Sequence, residues 1–220
     1  AGCARPLRFA LDTPLSDGVQ LTADAIVWRS SEGEKHLVPL SAVRVPCRHL
    51  LSDTAAAAAV GSIAGIDSEG MTRAVRSFAG LEHTLEFVRE VNGVCYVNDS
   101  KATNIAASRA AIECFGQGMV VILGGRFKGG QFEDLREALV ERGASVVSIG
   151  EASSEIHRVL DPVIDVQDAV TMSAAVTLAS RLAGSGTTVL LAPACASLDM
   201  FPDYAARGAA FKKAVMGLGM

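Results

Sequence analysis

"MVVILGGRFKGG", residues 119–130, decides the fold. Its first five residues are apolar without a break. A strand with one wet face alternates apolar and polar residues, because successive side chains point to opposite faces. An unbroken apolar run is a strand covered on both faces, and such strands belong to parallel sheets flanked by helices. The glycine pairs Gly124-Gly125 and Gly129-Gly130 let the chain turn. Arg126 and Lys128 lie between them.

Outward from this run, strand and helix patterns alternate. Before it, "LEFVREVNGVCYVND" holds two β-rich runs around Asn92-Gly93, a strong hairpin signal, and residues 104–115 read as a helix. After it come a helix over 132–142, the strand "SVVSIG", a helix over 151–159, the weak strand "VIDV", a helix over 169–182, the strand "TTVLLAPA" and a last helix over 204–216. This order predicts an α/β domain with a mostly parallel sheet and helices on both faces. Residues 1–50 read differently, as short strands ("LRFAL", "VQLTADAIVWRS", "KHLVPLSAVRV") parted by turn residues such as Ser16-Asp17-Gly18 and Glu32-Gly33. Two helices follow: an alanine-rich one capped by Ser52-Asp53, and one over 68–78. Ala79-Gly80 marks the expected boundary between a domain 1–80 and a domain 81–220.

Half of the 220 residues are apolar and a fifth are charged, enough to bury a real core. A net charge of −4 and a pI near 5.6 argue against a nucleic-acid partner and a polybasic membrane patch. No apolar run reaches the roughly 20 residues that cross a bilayer, and no signal peptide is visible. The five cysteines are scattered, with no CxxC pair. That speaks against structural zinc and a disulfide framework, and for a reducing cytoplasm. The chain begins at Ala1 without Met, as a processed protein or a fragment would.

In an open α/β sheet, ligands bind outside the carboxyl ends of the strands. After the hairpin stand Asn98, Asp99, Ser100, Lys101, Thr103 and Asn104; after "VVILGG", Arg126 and Lys128; after "TVLLAPA", Ser197 and Asp199; after "SVVSIG", only Glu151. Each piece has a plain structural reading. Asp99-Ser100 suit a turn or cap, Cys195 a small buried residue, and Phe201, Tyr204 and Phe211 helix packing. The four histidines are not spaced as metal ligands, and no GxxxxGK[ST] phosphate loop is present. Together, two lysines with several hydroxyls at strand ends suit an anionic ligand, a nucleotide among the options. Residue chemistry alone does not name a reaction.

"NDSKATN", followed by a strand and a GG-x-x-K loop, then "PACASLDMF" and "YAARGAAF", resembles the ATP-dependent Mur ligases of bacterial peptidoglycan synthesis. Within the wider Mur and folylpolyglutamate ligase group, "DSKATN" is similar to the string of the D-glutamate-adding member. "RVPCRHLLSDTAAAAAV" and "AVRSFAGLEHTLEF" continue the resemblance more loosely. It implies that 81–220 is the C-terminal Rossmann-like domain and 1–80 the tail of the central ATPase domain. The chain would then be a C-terminal fragment, a cytoplasmic monomer inactive by itself.

The implied reaction uses ATP and Mg2+. The carboxylate of UDP-N-acetylmuramoyl-L-alanine is phosphorylated, and the amine of D-glutamate attacks the acyl phosphate. The resemblance gives Lys101 to the reaction centre, Thr103, Lys128, Ser197, Leu198 and Tyr204 to D-glutamate, and Asp99 to nucleotide. Mg2+ ligands are expected outside the chain. Asp53 and Thr84 stand at nucleotide-contacting places with departures. Leu50 and Asp53 replace two asparagines, and Thr84 replaces an arginine whose charge it cannot supply. Either another cation such as Arg126 compensates, or nucleotide affinity falls. The alternatives are another amide ligase of the group and a non-catalytic α/β module for a nucleotide or acidic metabolite.

Overall fold

The computed structural model describes residues 6–44 and 47–219; Cys3, and Val45 at the end of the third expected strand run, lie outside them. The chain divides into two compact units, Ala1–Ala79 and Gly80–Met220.

In the first unit, β1 (Phe9–Ala10), β2 (Gly18–Leu21), β3 (Ala25–Ser30) and β4 (Gly33–Pro39) form one sheet in that order. β1 is parallel to β2, and the rest is an antiparallel meander. The sequence beyond β4 turns into a short 3-10 segment, Leu40–Ala42, instead of continuing as a strand. Two helices come next, α1 (Arg48–Ile63) and α2 (Ser68–Ser77). Ala55, Ala58 and Ala59 of α1 and Met71 of α2 cover Val19, Ile26, Leu37 and Val38 of the sheet. The alanines are small, so helix and sheet approach closely. Ser52-Asp53 do not cap α1. The helix begins at Arg48, four residues before Ser52, after an extended Cys47 with no side-chain cap. The expected cap is thus a helical position, because Arg48, His49 and Leu50 are themselves tolerant of helix and extend it toward the N-terminus.

The second unit is a six-stranded sheet in the order β5-β6-β10-β7-β8-β9. Its strands are β5 (Glu86–Val91), β6 (Val94–Asn98), β7 (Val120–Gly124), β8 (Ser145–Ile149), β9 (Val166–Ala169) and β10 (Thr188–Leu191). Only β5 and β6 are antiparallel; every other pairing is parallel. The hairpin turns at Asn92 and Gly93, both with positive φ (52° and 77°), as a turn matching strand twist requires. Helices α3 (Ile105–Ile112), α4 (Arg136–Glu141), α5 (Ser153–Leu160), α6 (Met172–Leu182) and α7 (Tyr204–Met216) connect and cover the strands. One face packs Tyr96, Val120, Ile122, Val147 and Leu191 against Ala175, Val176 and Ala179 of α6 and Phe211 and Val215 of α7. The alternate residues Val97, Val121, Leu123, Val146 and Leu190 are buried on the opposite face. Both faces are covered, as the unbroken apolar run predicts.

Three local expectations need correcting. The strand expected at "VIDV" lies three residues later, at Val166–Ala169: the amides of Val163 and Ile164 bond back to Leu160 O, which prolongs the helix end as a turn. The helix expected over 132–142 opens as a 3-10 turn, Phe132–Leu135, before α4. Cys47 and Cys114 are each in a disulfide, against the expectation that disulfides play no part, whereas Cys95 and Cys195 are free. Spacing could not show this, because each bonded cysteine is far in sequence from every other.

Candidate functional site

β10 is inserted between β6 and β7, so three parallel strands end side by side. The loops after them are the three whose polar residues stand out in the sequence. Backbone bonds join them directly. Asp99 N donates to Leu191 O at 2.8 Å, Ala194 N to Ala102 O at 3.0 Å and Gly124 N to Pro193 O at 2.8 Å. Arg126 and Ala196 exchange two bonds, at 2.8 and 3.0 Å. Gly124, at φ 126°, is required here: a Cβ would lie 1.9 Å from Ile149 O.

On the first loop, Lys101 is exposed and Thr103 half-buried. Asp99 is 6% exposed and accepts from Leu85 N at 3.2 Å. Burial pushes its carboxyl up to about 6, against the opposing pulls of the Leu85 amide and the Lys101 charge. Asn104 caps α3, accepting from Ala107 N at 2.9 Å, which is a structural role. On the second loop, Lys128 is exposed, while Arg126 holds Glu151 with two bonds at 2.9 and 3.0 Å. The cation offered to replace the missing arginine is therefore already paired with a carboxylate. On the third loop, Ser197 is buried and Leu198 is exposed. Asp199 accepts from Glu151 N at 3.0 Å through one oxygen, and the other is buried without a partner. Cys195 is buried, and burial pushes its thiol up to about 12, so it is an inert packing residue.

Tyr204 opens α7 and lies edge-on to His83, ring centroids 6.1 Å apart. Its backbone oxygen accepts from Ser100 Oγ at 2.7 Å. Thr84 sits in the loop before β5, its hydroxyl buried without a hydrogen bond. Eight of the nine positions singled out thus belong to the second unit. Asp53 is an exposed residue on α1 of the first.

Two supporting residues, His83 and Arg207, lie in stretches that carry the resemblance but are given no role by it. His83 is 6% exposed at φ 63°. Asn98 Nδ2 donates to its Nδ1 at 2.9 Å and to Glu86 Oε2 at 2.9 Å, while Lys101 N donates to its backbone oxygen at 3.1 Å. Burial raises the Glu86 carboxyl, but the His83 amide, Lys212 and Asn98 outweigh it and leave it below its ordinary range. Gly208 lets α7 approach this ring; a Cβ there would stand 2.3 Å from His83 Nδ1. Arg207, 1% exposed, donates to Ser100 Oγ and O and to Cys195 O at 2.8–3.0 Å, and to Gly124 O at 3.5 Å. Burial lowers its pKa to about 10, so it stays charged at neutral pH. Position three residues into a helix gives no hint that a charge points inward.

Known proteins match this chain. Residues 85–195 match the family described as Mur ligase, glutamate ligase domain. A UDP-N-acetylmuramoylalanine–D-glutamate ligase of Acidobacterium capsulatum is 38% identical over 210 residues, 94% of this chain and 46% of that protein. Those of Solibacter usitatus and Nitrosococcus oceani are 43% and 42% identical, over 84% and 95% of this chain and 42% and 47% of theirs. The chain spans about half the length of the curated relatives it matches. Among solved structures, a folylpolyglutamate synthase of Mycobacterium tuberculosis complexed with ADP superposes with a TM-score of 0.61 at 15% identity, over 90% of this chain and 46% of that one. The UDP-N-acetylmuramate-alanine ligase of Thermotoga maritima gives 0.57 at 14%, over 79% and 39%. These two speak for the fold. With three strand ends on one edge and half of its length matched, the chain belongs to the Mur ligase family and carries its glutamate ligase domain.

Proposed function

We propose that this chain is part of an ATP-dependent ligase that joins D-glutamate to UDP-N-acetylmuramoyl-L-alanine in peptidoglycan synthesis. In this reading, residues 1–80 end the ATP-binding domain and 81–220 bind D-glutamate. The observation that carries it is the convergence of three adjacent strand ends with Lys101, Thr103, Lys128 and Ser197 on one edge. Relatives 38% and 43% identical over most of this chain bear that ligase's name.

The chemistry assigns each side chain a task. D-glutamate brings two carboxylates and an amine. Lys128 gives one carboxylate a charge-assisted bond. Thr103 and Ser197 offer hydroxyl donors, and Leu198 and Tyr204 border the same ligand. Lys101 neutralises charge where the acyl phosphate forms and where the amine adds to it. Asp99, with Thr84 and Asp53, belongs to the nucleotide side. ATP supplies the phosphoryl group. In this reading the Mg2+ ligands lie outside this chain. No described helix is long and apolar enough to cross a membrane, and the reading makes the protein a cytoplasmic monomer.

D-glutamate titrated into the chain should shift the amide resonances of Lys101, Thr103, Lys128 and Ser197, and L-glutamate should not. In the complete enzyme, Lys128→Ala loses a charge-assisted contact of about 1.5–3 kcal/mol. The D-glutamate KM should rise roughly ten- to hundredfold. An unchanged KM removes Lys128 from the site.

A further inference from the structure

Arg207 is the most deeply buried of the charged side chains among the described residues, at 1% exposure. None of its hydrogen bonds goes to a carboxylate. Its acceptors are Ser100 Oγ, Ser100 O, Cys195 O and Gly124 O. A buried cation without a hydrogen-bonded anion is costly, and an apolar side chain of like volume often serves stability as well or better. Packing alone therefore gives a poor account of an arginine here.

Its acceptors give a better one. Ser100, Gly124 and Cys195 belong to three different strand ends, those of β6, β7 and β10. Lys101 comes directly after Ser100, Lys128 lies four residues after Gly124, and Ser197 two after Cys195. Guanidinium is a rigid planar fork of five donors, so one group fixes the spacing of all three chains at once. An ammonium on a flexible stem has only three donors and no fixed fork. Arg207 is itself held from below. Asp203 caps α7, accepting from Ala206 N at 2.7 Å, and Gly208 seats the helix against His83.

We propose that Arg207 is a positioning residue: its buried guanidinium ties the three strand-end loops into one rigid edge, and so sets the distances between Lys101, Lys128 and Ser197 before any ligand arrives. The ligand part rests on the D-glutamate reading above; the loop part does not.

The whole chain tests both, as wild type, Arg207→Met and Arg207→Lys. Amide hydrogen exchange and D-glutamate titration are followed by NMR. Both variants should keep protection in β8 and β9. The amides of Ala102, Arg126, Ala194 and Ala196 should exchange about tenfold faster or more, and D-glutamate should bind about tenfold more weakly, a change of about 1.4 kcal/mol. Lys should restore neither. Recovery of both by Lys would show that charge alone matters and overturn the proposal. Uniform loss of protection across the unit, or wild-type exchange at the four amides in the Met variant, would overturn it too. If the wild-type chain ignores D-glutamate, the ligand reading fails, and Arg207 is judged on the four amides alone.

Discussion

At the scale of single residues, the site edge carries a stability cost that pH exposes. The folded Asp99 carboxyl titrates at about 6 against an ordinary 3.8. Between those values the folded state holds more proton than the unfolded one, so this residue makes stability fall as pH rises through the window. Above it the full cost stands, at most about 3 kcal/mol for a shift of roughly two units. Asp99→Asn keeps an acceptor for the Leu85 amide and removes the charge. It should raise urea stability at pH 7.5 by up to that amount and change little at pH 4. Equal effects at both pH values would show that the carboxyl is not buried in its ionised form. Such a cost is in keeping with the nucleotide side proposed for Asp99. The sequence showed Asp99, but its burial comes from Leu85 and the His83 loop, which fold back over the end of β6 from fourteen residues upstream.

At the scale of elements, one histidine links α5 to the β9 edge of the sheet. His157 on α5 reaches Asp161 at 2.8 Å and Asp168 of β9 at 3.0 Å, and Ser148 of β8 donates to Asp168. The hydrogen bond to Asp161 raises the His157 pKa, with burial opposing and Asp168 assisting. The Ser148 bond, against burial and together with His157, lowers that of Asp168. The histidine contribution is complete below about pH 6.5 and is lost as pH rises through the raised folded value. The Asp168 contribution is lost as pH falls through its own lowered value. The pair is strongest in the mildly acidic range between. Because the side chains are partly exposed, it amounts to under about 1 kcal/mol. His157→Gln should destabilise the chain at pH 6 more than at pH 8.5 in thermal melts. A loss independent of pH would assign His157 to packing alone. Periodicity showed α5, but it placed the next strand too early. The two amides that decide the offset bond to a carbonyl at the helix end, and such end turns leave no mark on a hydrophobic pattern.

At the scale of the whole molecule, the chain has two units and about half the length of its relatives. Its sequence has no GxxxxGK[ST] loop to cradle ATP phosphates. Purified chain supplied with ATP, Mg2+, UDP-N-acetylmuramoyl-L-alanine and D-glutamate should therefore form no ADP that depends on D-glutamate. Such ADP, if detected, would place the phosphate-binding machinery within these residues. The relatives' upstream half, supplied on the same polypeptide, should restore turnover.

What the sequence by itself determined is local and periodic. The unbroken apolar run made β7 a strand covered on both faces. Asn92-Gly93 made the hairpin, and Asn104 and Asp203 started their helices, because caps and turns are settled within four residues of chain. Loop chemistry also marked Lys101, Thr103, Lys128 and Ser197 as residues at strand ends. Only the tertiary structure decided that those ends are neighbours. The last strand enters between the first two parallel ones, and strand order is fixed by which faces and edges can be buried together, over separations no window spans. It also decided that Arg126 is spent on Glu151, that Gly208 yields its side chain to His83, and that a cation on the last helix turns inward. A charged residue in a helix is read as solvated until the loops it binds are seen folded around it.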